Sequence, residues 1–397
     1  MTSVRTALKT VPPGVVALGF VSLLMDLSSE TIHSLLPVFM VTTLGAGVAV
    51  LGLVEGVAEA TASIAKVFSG WLSDRIGQRK TLTIVGYGLA AVSKFLFPIA
   101  RSVEMVMLAR FADRIGKGIR GAPRDALIAD MTEPGQRGAA FGLRQSMDTV
   151  GACLGPAVAI GLMLATHGNV RLIFAIAALP AFVAVLVLAL AVKEPERTAP
   201  PKPPRVPIVF GELKALGAPY WRITALSTAF ALARFSEAFL VLRGQTDGLS
   251  PTFAPAVMIV MTLVYALVAA PAGALADRMS ARRLLSAGLM TLIAADLILG
   301  LGHGIPALIV GAGLWGLHMA LTQGLFAALT AGAAPAALRG SAFGLSTLLG
   351  GVATLIASLA AGALWTAFGP ASAFLTAGGV CAIVLAGLWL IPENAAR

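Results

Sequence analysis

Long apolar runs broken by short polar clusters recur along the whole chain. No Asp, Glu, Lys or Arg occurs in the 53 residues between Arg339 and Glu393, the 42 between Asp296 and Arg339, or the 29 between Asp247 and Asp277. A helix that crosses a membrane needs about 20 apolar residues. The runs are built of Leu, Ala and Val with Gly and Pro inside them, which membrane helices tolerate. Strand-type alternation is absent, which argues against a transmembrane barrel. Dividing the chain at polar and turn-forming clusters predicts twelve spans, near 14–43, 47–71, 81–99, 103–131, 138–166, 171–192, 217–244, 252–275, 283–302, 305–332, 340–366 and 371–391. Between the sixth and seventh, Pro200, Pro201, Pro203, Pro204 and Pro207 stand among charges, as in a solvated linker. The expected organisation is an all-α integral membrane protein with a six-helix bundle over 1–192, a cytoplasmic linker over 193–216 and a second six-helix bundle over 217–397.

Composition supports a lipid environment. Hydrophobic residues make up 57% of the chain and charged residues 12%, against roughly 25% charged in a soluble protein. So few charges cannot cover a water-facing surface. Disorder is excluded for the same reason, and two cysteines, Cys153 and Cys381, are too few for a disulfide-stapled secreted fold. The formal charge of +10 is sided. Lys and Arg concentrate at the termini, the linker and the loops around Asp74, Glu133, Asp277 and Arg339, whereas the opposite face carries Arg101, Arg171 and Arg243 beside Glu104 and Asp247. The positive-inside rule then places both termini in the cytoplasm, as for a multi-pass protein of a bacterial-type inner membrane. Topology alone accounts for the basicity, so no nucleic-acid partner is implied. No cleavable signal peptide is expected.

A sequence repeat divides the chain in two. Gly70-Trp-Leu-Ser-Asp74-Arg75-Ile-Gly77-Gln-Arg79-Lys80 returns 203 residues later as Gly273-Ala-Leu-Ala-Asp277-Arg278-Met-Ser-Ala-Arg282-Arg283. Arg137-Gly-Ala-Ala-Phe141-Gly142 returns 202 residues later as Arg339-Gly-Ser-Ala-Phe343-Gly344. Two matches at nearly one spacing indicate a duplicated six-helix unit. Here the chain resembles the major facilitator superfamily, whose loop signature is matched by Gly70 to Lys80. The resemblance implies two pseudo-symmetric six-helix bundles around a central cavity, exposed alternately to the two sides. It also implies a conformational latch made of Gly70, Asp74, Arg75, Gly77 and Arg79, with Asp277 and Arg278 in the second copy, where Ser280 replaces the second glycine.

Ionisable residues inside spans are costly and mark function by default. Asp26, Glu30 and His33 follow at i, i+4 and i+7 on the first span and share one stripe. Two carboxylates one turn apart in a poorly hydrated cavity cannot both ionise cheaply, which suits a group that takes up and releases a proton. Glu55 and Glu59 repeat the spacing on the second span; neutralising the basic fourth span is the competing role for all these acids. On that span Asp113, Lys117, Arg120 and Arg124 form one stripe, with Arg110 and Arg114 beside it. Arg114-Ile-Gly-Lys117-Gly118-Ile-Arg120-Gly-Ala122 resembles the superfamily's fourth-span pattern, with Lys117 in place of Gln and Arg120 in place of Gly. That resemblance assigns Arg114 to proton transfer, with Arg110 as the other register. The two added cations either bind an anionic substrate or pair with Asp26, Glu30 and Asp148.

On the fifth span Arg144 and Asp148 stand at i, i+4, a spacing that also allows mutual pairing. Gly151-Ala-Cys153-Leu-Gly155-Pro156 then resembles the helix motif of proton-driven exporters, although Ala159-Ile160 replaces the following Gly-Gly. Gly151 and Gly155 permit close helix contact and Pro156 a bend, which suits an interface between the halves; plain packing is the alternative. In the second half Arg234 and Glu237 stand at i, i+3 on the seventh span, where Ser236-Glu237 echoes Ser29-Glu30. Asp26, Glu30, His33, Lys117, Arg120, Arg144, Asp148, Arg234 and Glu237 are therefore the expected cavity residues, with Asp26, Glu30 and Arg114 the expected coupling residues.

No Gly-four-residues-Gly-Lys loop occurs, which argues against an ATP-driven pump, and no Cys or His spacing suggests a metal site. No cofactor is expected, and the energy source would be a proton gradient. An integral-membrane enzyme would need a nucleophile or metal beside its acids, and neither is evident; a sensor without transport is a second rival. The expected function is proton-coupled secondary transport of a small organic solute, as an exporter by solute/proton antiport. Uptake of an organic anion by symport, held by Arg114, Lys117, Arg120 and Arg234, is the alternative. Expected partners are the solute, protons and membrane lipids, with the protein a monomer.

Overall fold

A computed structural model of the protein describes residues 11–76, 78–195, 213, 215–276, 278–335 and 338–390. Among them no strand occurs. The helices of nine residues or more are α1 Pro13–Val38, α2 Val48–Ile76, α3 Arg79–Ser93, α4 Val103–Met131, α5 Arg137–Ala165, α6 Val170–Ala191, α7 Gly217–Leu232, α8 Ala238–Thr246, α9 Ala256–Ala276, α10 Ala281–Leu301, α11 Gly304–Ala333, α12 Arg339–Phe368 and α13 Pro370–Leu390. A π-helical turn, Phe39–Thr43, extends α1, and a short helix, Leu96–Ile99, extends the third span. Two helix starts carry a side-chain cap. Ser102 accepts from the Met105 N–H at 3.4 Å and Asn169 from the Leu172 N–H at 3.2 Å. The start of α3 is capped from a distance, its Arg79 and Lys80 N–H groups donating to the two carboxylate oxygens of Glu194 at 2.7 and 3.1 Å.

Ten of the expected twelve spans are long and apolar enough to cross a membrane. The other two depart for separate reasons. Helix α4 has 29 residues but carries Arg110, Asp113, Arg114, Lys117, Arg120, Arg124, Asp125 and Asp130. The seventh span, expected as one helix over 217–244, is instead broken into α7 and α8 at Ala233–Glu237, with neither Pro nor Gly in the break. Polar neighbours occupy backbone groups there. The Ser236 N–H donates to Ser358 Oγ at 3.2 Å, and the Ala238 N–H donates to Ser236 Oγ at 3.3 Å. The Ser236 hydroxyl in turn donates to Glu55 at 3.2 Å. Irregular backbone at membrane depth persists only with such partners.

By backbone contacts the chain divides into two units, one of Met1–Leu35 and Thr61–Val206, the other of Leu36–Ala60 and Pro207–Arg397. In the first, Leu18, Met25, Tyr87, Ala90, Leu127, Ile128, Ala181 and Leu188 form a fully buried core from α1, α3, α4 and α6. Glycine sets the closest crossings. A side chain at Gly86 would meet the Gly116 carbonyl at 2.9 Å, bringing α3 and α4 into backbone contact. In the second unit, Phe235, Phe239, Trp315, Trp365 and Phe374 form an aromatic cluster with centroid separations of 5.2–6.1 Å. There the first half of α2 packs on α12, where a side chain at Gly52 would collide with the Ser358 carbonyl and one at Gly362 would meet the Ala49 Cα at 3.0 Å.

Candidate functional site

Most intramembrane charges of the first unit lie on α1, α3, α4 and α5, and several meet one another. Asp26 of α1 lies within hydrogen-bonding reach of Asp148 of α5, and Lys117 and Arg120 of α4 act on it electrostatically. A hydrogen bond between two carboxyl groups needs one proton between them, because ionised carboxylates only accept. Asp148 also receives Arg144 Nη1 at 3.3 Å. One turn along α1, Glu30 lies 3.4 Å from His33 Nδ1 and within electrostatic reach of Lys117 and Arg114. Exposed Lys117 is thus an electrostatic neighbour of two acids, Asp26 and Glu30.

Behind this group lies a drier layer. Lys94 donates to Asp113 at 3.1 Å and to Ser29 Oγ at 2.9 Å, and Arg114 Nε stands 3.6 Å from the other Asp113 oxygen. All three ion-pair members are at most 6% exposed, so each charge depends on the others. Arg120 is buried with its guanidinium 4.6 Å above the Tyr87 ring, and its Nη1 has no hydrogen-bond partner among the described residues. Arg124 reaches Asp125 at 3.1 Å, Ser22 at 3.3 Å and the Tyr87 hydroxyl at 3.4 Å.

Gly151 and Gly155 hold α5 against α1 within the same unit. A side chain at Gly151 would collide with the Leu23 carbonyl, and one at Gly155 would meet the Thr31 N–H at 2.9 Å. The Thr31 hydroxyl donates to the Gly155 carbonyl at 3.1 Å. These glycines therefore bring Asp148 alongside Asp26, and α5 continues as one helix through Pro156.

In the second unit Arg234 lies in the broken seventh span, 5.8 Å from the Phe230 ring centre, with Glu237, Glu59 and Tyr265 as electrostatic neighbours. Of the expected latch, Gly70 meets only ordinary van der Waals contact, toward Ala122, and Arg75 is exposed above Trp71 at 5.3 Å. Arg79 binds Asp130 at 2.5 Å and the Ala126 carbonyl at 2.8 Å, tying the loop to the end of α4. Arg278 is exposed. Gly77, Asp277 and the side chain of Asp74 lie outside the described residues.

Sequence reasoning did not single out Ser29, Tyr87 or the Asp26–Asp148 contact. Tyr87 carried a faint signal as one of three tyrosines in the chain. Asp148 read as the i, i+4 partner of Arg144, which it is, while its approach to Asp26 on α1 had no counterpart in spacing.

A sequence profile of the Major Facilitator Superfamily matches residues 18–243 and 223–397. An uncharacterized MFS-type transporter of Methanocaldococcus jannaschii is 32% identical over 382 residues, covering 94% of this chain and 93% of that protein. Multidrug resistance protein 1 of Bacillus subtilis is 31% identical over 182 residues, 45% of each chain. Among solved structures, a POT family transporter in complex with 5-aminolevulinic acid superposes with a TM-score of 0.82 at 13% identity, covering 98% of this chain and all of that one.

Proposed function

Because the chain belongs to the major facilitator superfamily, a family of transporters and not of enzymes, we propose that it is a proton-coupled secondary transporter that exports a small organic solute by alternating access. The observation that carries this reading is the close approach of Asp26 and Asp148, with Lys117 and Arg120 as electrostatic neighbours. A shared proton lets two acids coexist in a membrane span, and its release leaves a negative site beside two cations. Arg120 and Lys117 then compensate the unprotonated pair, so both loading states are accessible without an unpaired buried charge.

Antiport requires that proton and solute bind competitively. The solute must bind the deprotonated protein better than the protonated one, and by linkage the proton must weaken solute binding by the same factor. Glu30, engaged by His33, modulates the site through Lys117, which faces both acids. Arg114 acts through Asp113 and Glu30. The similarity to a multidrug resistance protein over 45% of the chain favours export.

Uptake of an organic anion with protons is the second reading, favoured by the unpartnered Arg120 Nη1 and exposed Lys117. Purified protein in liposomes separates the two. A solute screen with the pH gradient imposed in each direction is expected to give accumulation only when solute and proton move oppositely. Asp26→Asn is expected to abolish accumulation against a gradient. Undiminished uphill flux in that variant places coupling elsewhere, and accumulation in the same direction as the proton selects the symport reading.

A further inference from the structure

A cavity of about 350 Å³ lies wholly within the second unit, between α9, α10 and α11. This is within the range of small-molecule sites, roughly 300–1,000 Å³. Its wall is largely Ala and Gly, including Ala269, Gly273, Ala320 and Gly324, and its polar groups are the Tyr265 hydroxyl and the Gln323 amide. Among the described residues no Asp, Glu, Lys, Arg or His lines it. Helices α9 and α11 carry none of the first four along their lengths. The cavity extends from Tyr265, halfway along α9, to the end of that helix, which the charge distribution assigns to the cytoplasmic side.

Three features of this space point to one kind of occupant. Neither Tyr265 nor Gln323 makes a side-chain hydrogen bond with another described residue, so both have hydrogen-bonding capacity for a ligand. A side chain at Gly273 or Gly324 would meet nothing within 4 Å, so these glycines leave room open instead of serving a helix crossing. An ionised group placed here would find no opposite charge among the described lining residues. A group that is uncharged, largely apolar and able to exchange hydrogen bonds with a hydroxyl and an amide fits all three. Resting on the export reading above, we infer that this cavity receives the uncharged, hydrogen-bonding part of the solute as it enters from the cytoplasmic side. The solute is accordingly a molecule with a neutral amide-, hydroxyl- or carbonyl-bearing apolar portion.

Three probes of one size and different charge test this: benzamide, benzoate and benzylammonium. In full-length Gly324→Cys protein, alkylation of residue 324 by N-ethylmaleimide is followed by peptide mass spectrometry, with no ion gradient present. Benzamide is expected to slow alkylation, and the two charged probes are not. Tyr265→Phe and Gln323→Leu, each combined with Gly324→Cys, are expected to raise the benzamide concentration giving half-protection about fivefold, the loss of one neutral hydrogen bond. Equal protection by all three probes overturns the inference, as does no protection by benzamide. Protection indifferent to Tyr265 and Gln323 overturns it too, because the space would then be a nonspecific apolar or lipid-filled gap. Since no gradient is used, a protein that binds benzamide but fails to couple protons refutes the preceding reading and leaves intact the cavity's preference for an uncharged, hydrogen-bonding group.

Discussion

At the scale of single residues, the two sequence copies treat one buried position in opposite ways. Lys94 is fully buried and bonded to Asp113 and Ser29. Asp296 follows it by 202 residues, the offset of the repeat, and is also fully buried, yet neither carboxyl oxygen has a hydrogen-bond partner among the described residues. The residue at the same offset from Asp113 is Trp315. A broken buried ion pair costs roughly 3–5 kcal/mol, whereas an unsatisfied buried polar group already costs about 1–3 kcal/mol in the native protein. Lys94→Met is therefore expected to lower the denaturation temperature of purified protein in detergent, and Asp296→Leu to hold or raise it. Equal losses in both variants would contradict this account. Acids on the first, second and fifth spans facing a basic fourth span made pairing legible from sequence, because unpaired charges are too costly in lipid. The contacts of Ser29 with Lys94, Tyr87 with Arg124 and Asp148 with Asp26 were not legible, since they cross between helices and helical spacing reports only one helix at a time.

At the scale of elements, glycine acts by where it falls on a helix and not by being present. Gly151, Gly155 and Gly161 all lie on α5, but the first two abut the α1 backbone while a side chain at Gly161 would meet nothing within 4 Å. Gly155→Val should force α5 from α1, costing ~1–3 kcal/mol or more from overpacking and separating Asp148 from Asp26. Gly161→Val should cost well under 1 kcal/mol. The yield of monodisperse protein and its denaturation temperature check the pair, and a Gly155→Val protein as stable as Gly161→Val would show that the crossing is slack. Most spans were readable because an uncharged run of some 20 residues has few alternatives to a membrane helix. The break at Ala233–Glu237 was not. Without Pro or Gly it has no local cause in sequence, and its partners, Ser358 and Glu55, come from distant helices.

At the scale of the whole molecule, the duplicated halves have diverged in chemistry while keeping one architecture. Paired acids and a basic fourth span are concentrated in the first unit, and the second holds a neutral cavity bounded by helices almost free of charge. If proton binding depends on the first and recognition of the solute's uncharged part on the second, the two functions should separate kinetically. Solute counterflow, an exchange of labelled for unlabelled solute with no gradient, needs recognition and alternating access but no net proton movement. Asp26→Asn is accordingly expected to retain counterflow while losing gradient-driven accumulation. Gly324→Leu, which places a side chain in open space, is expected to raise KM about tenfold in both assays, equivalent to ~1.4 kcal/mol of lost binding, with the ratio of accumulated to external solute at steady state unchanged. That ratio is set by proton stoichiometry and gradient, not by affinity, so it distinguishes a recognition defect from a coupling defect. Were Asp26→Asn to lose counterflow as completely as accumulation, proton and solute would have to be handled as one event by the charged cluster, and the division of labour between the two units would be wrong.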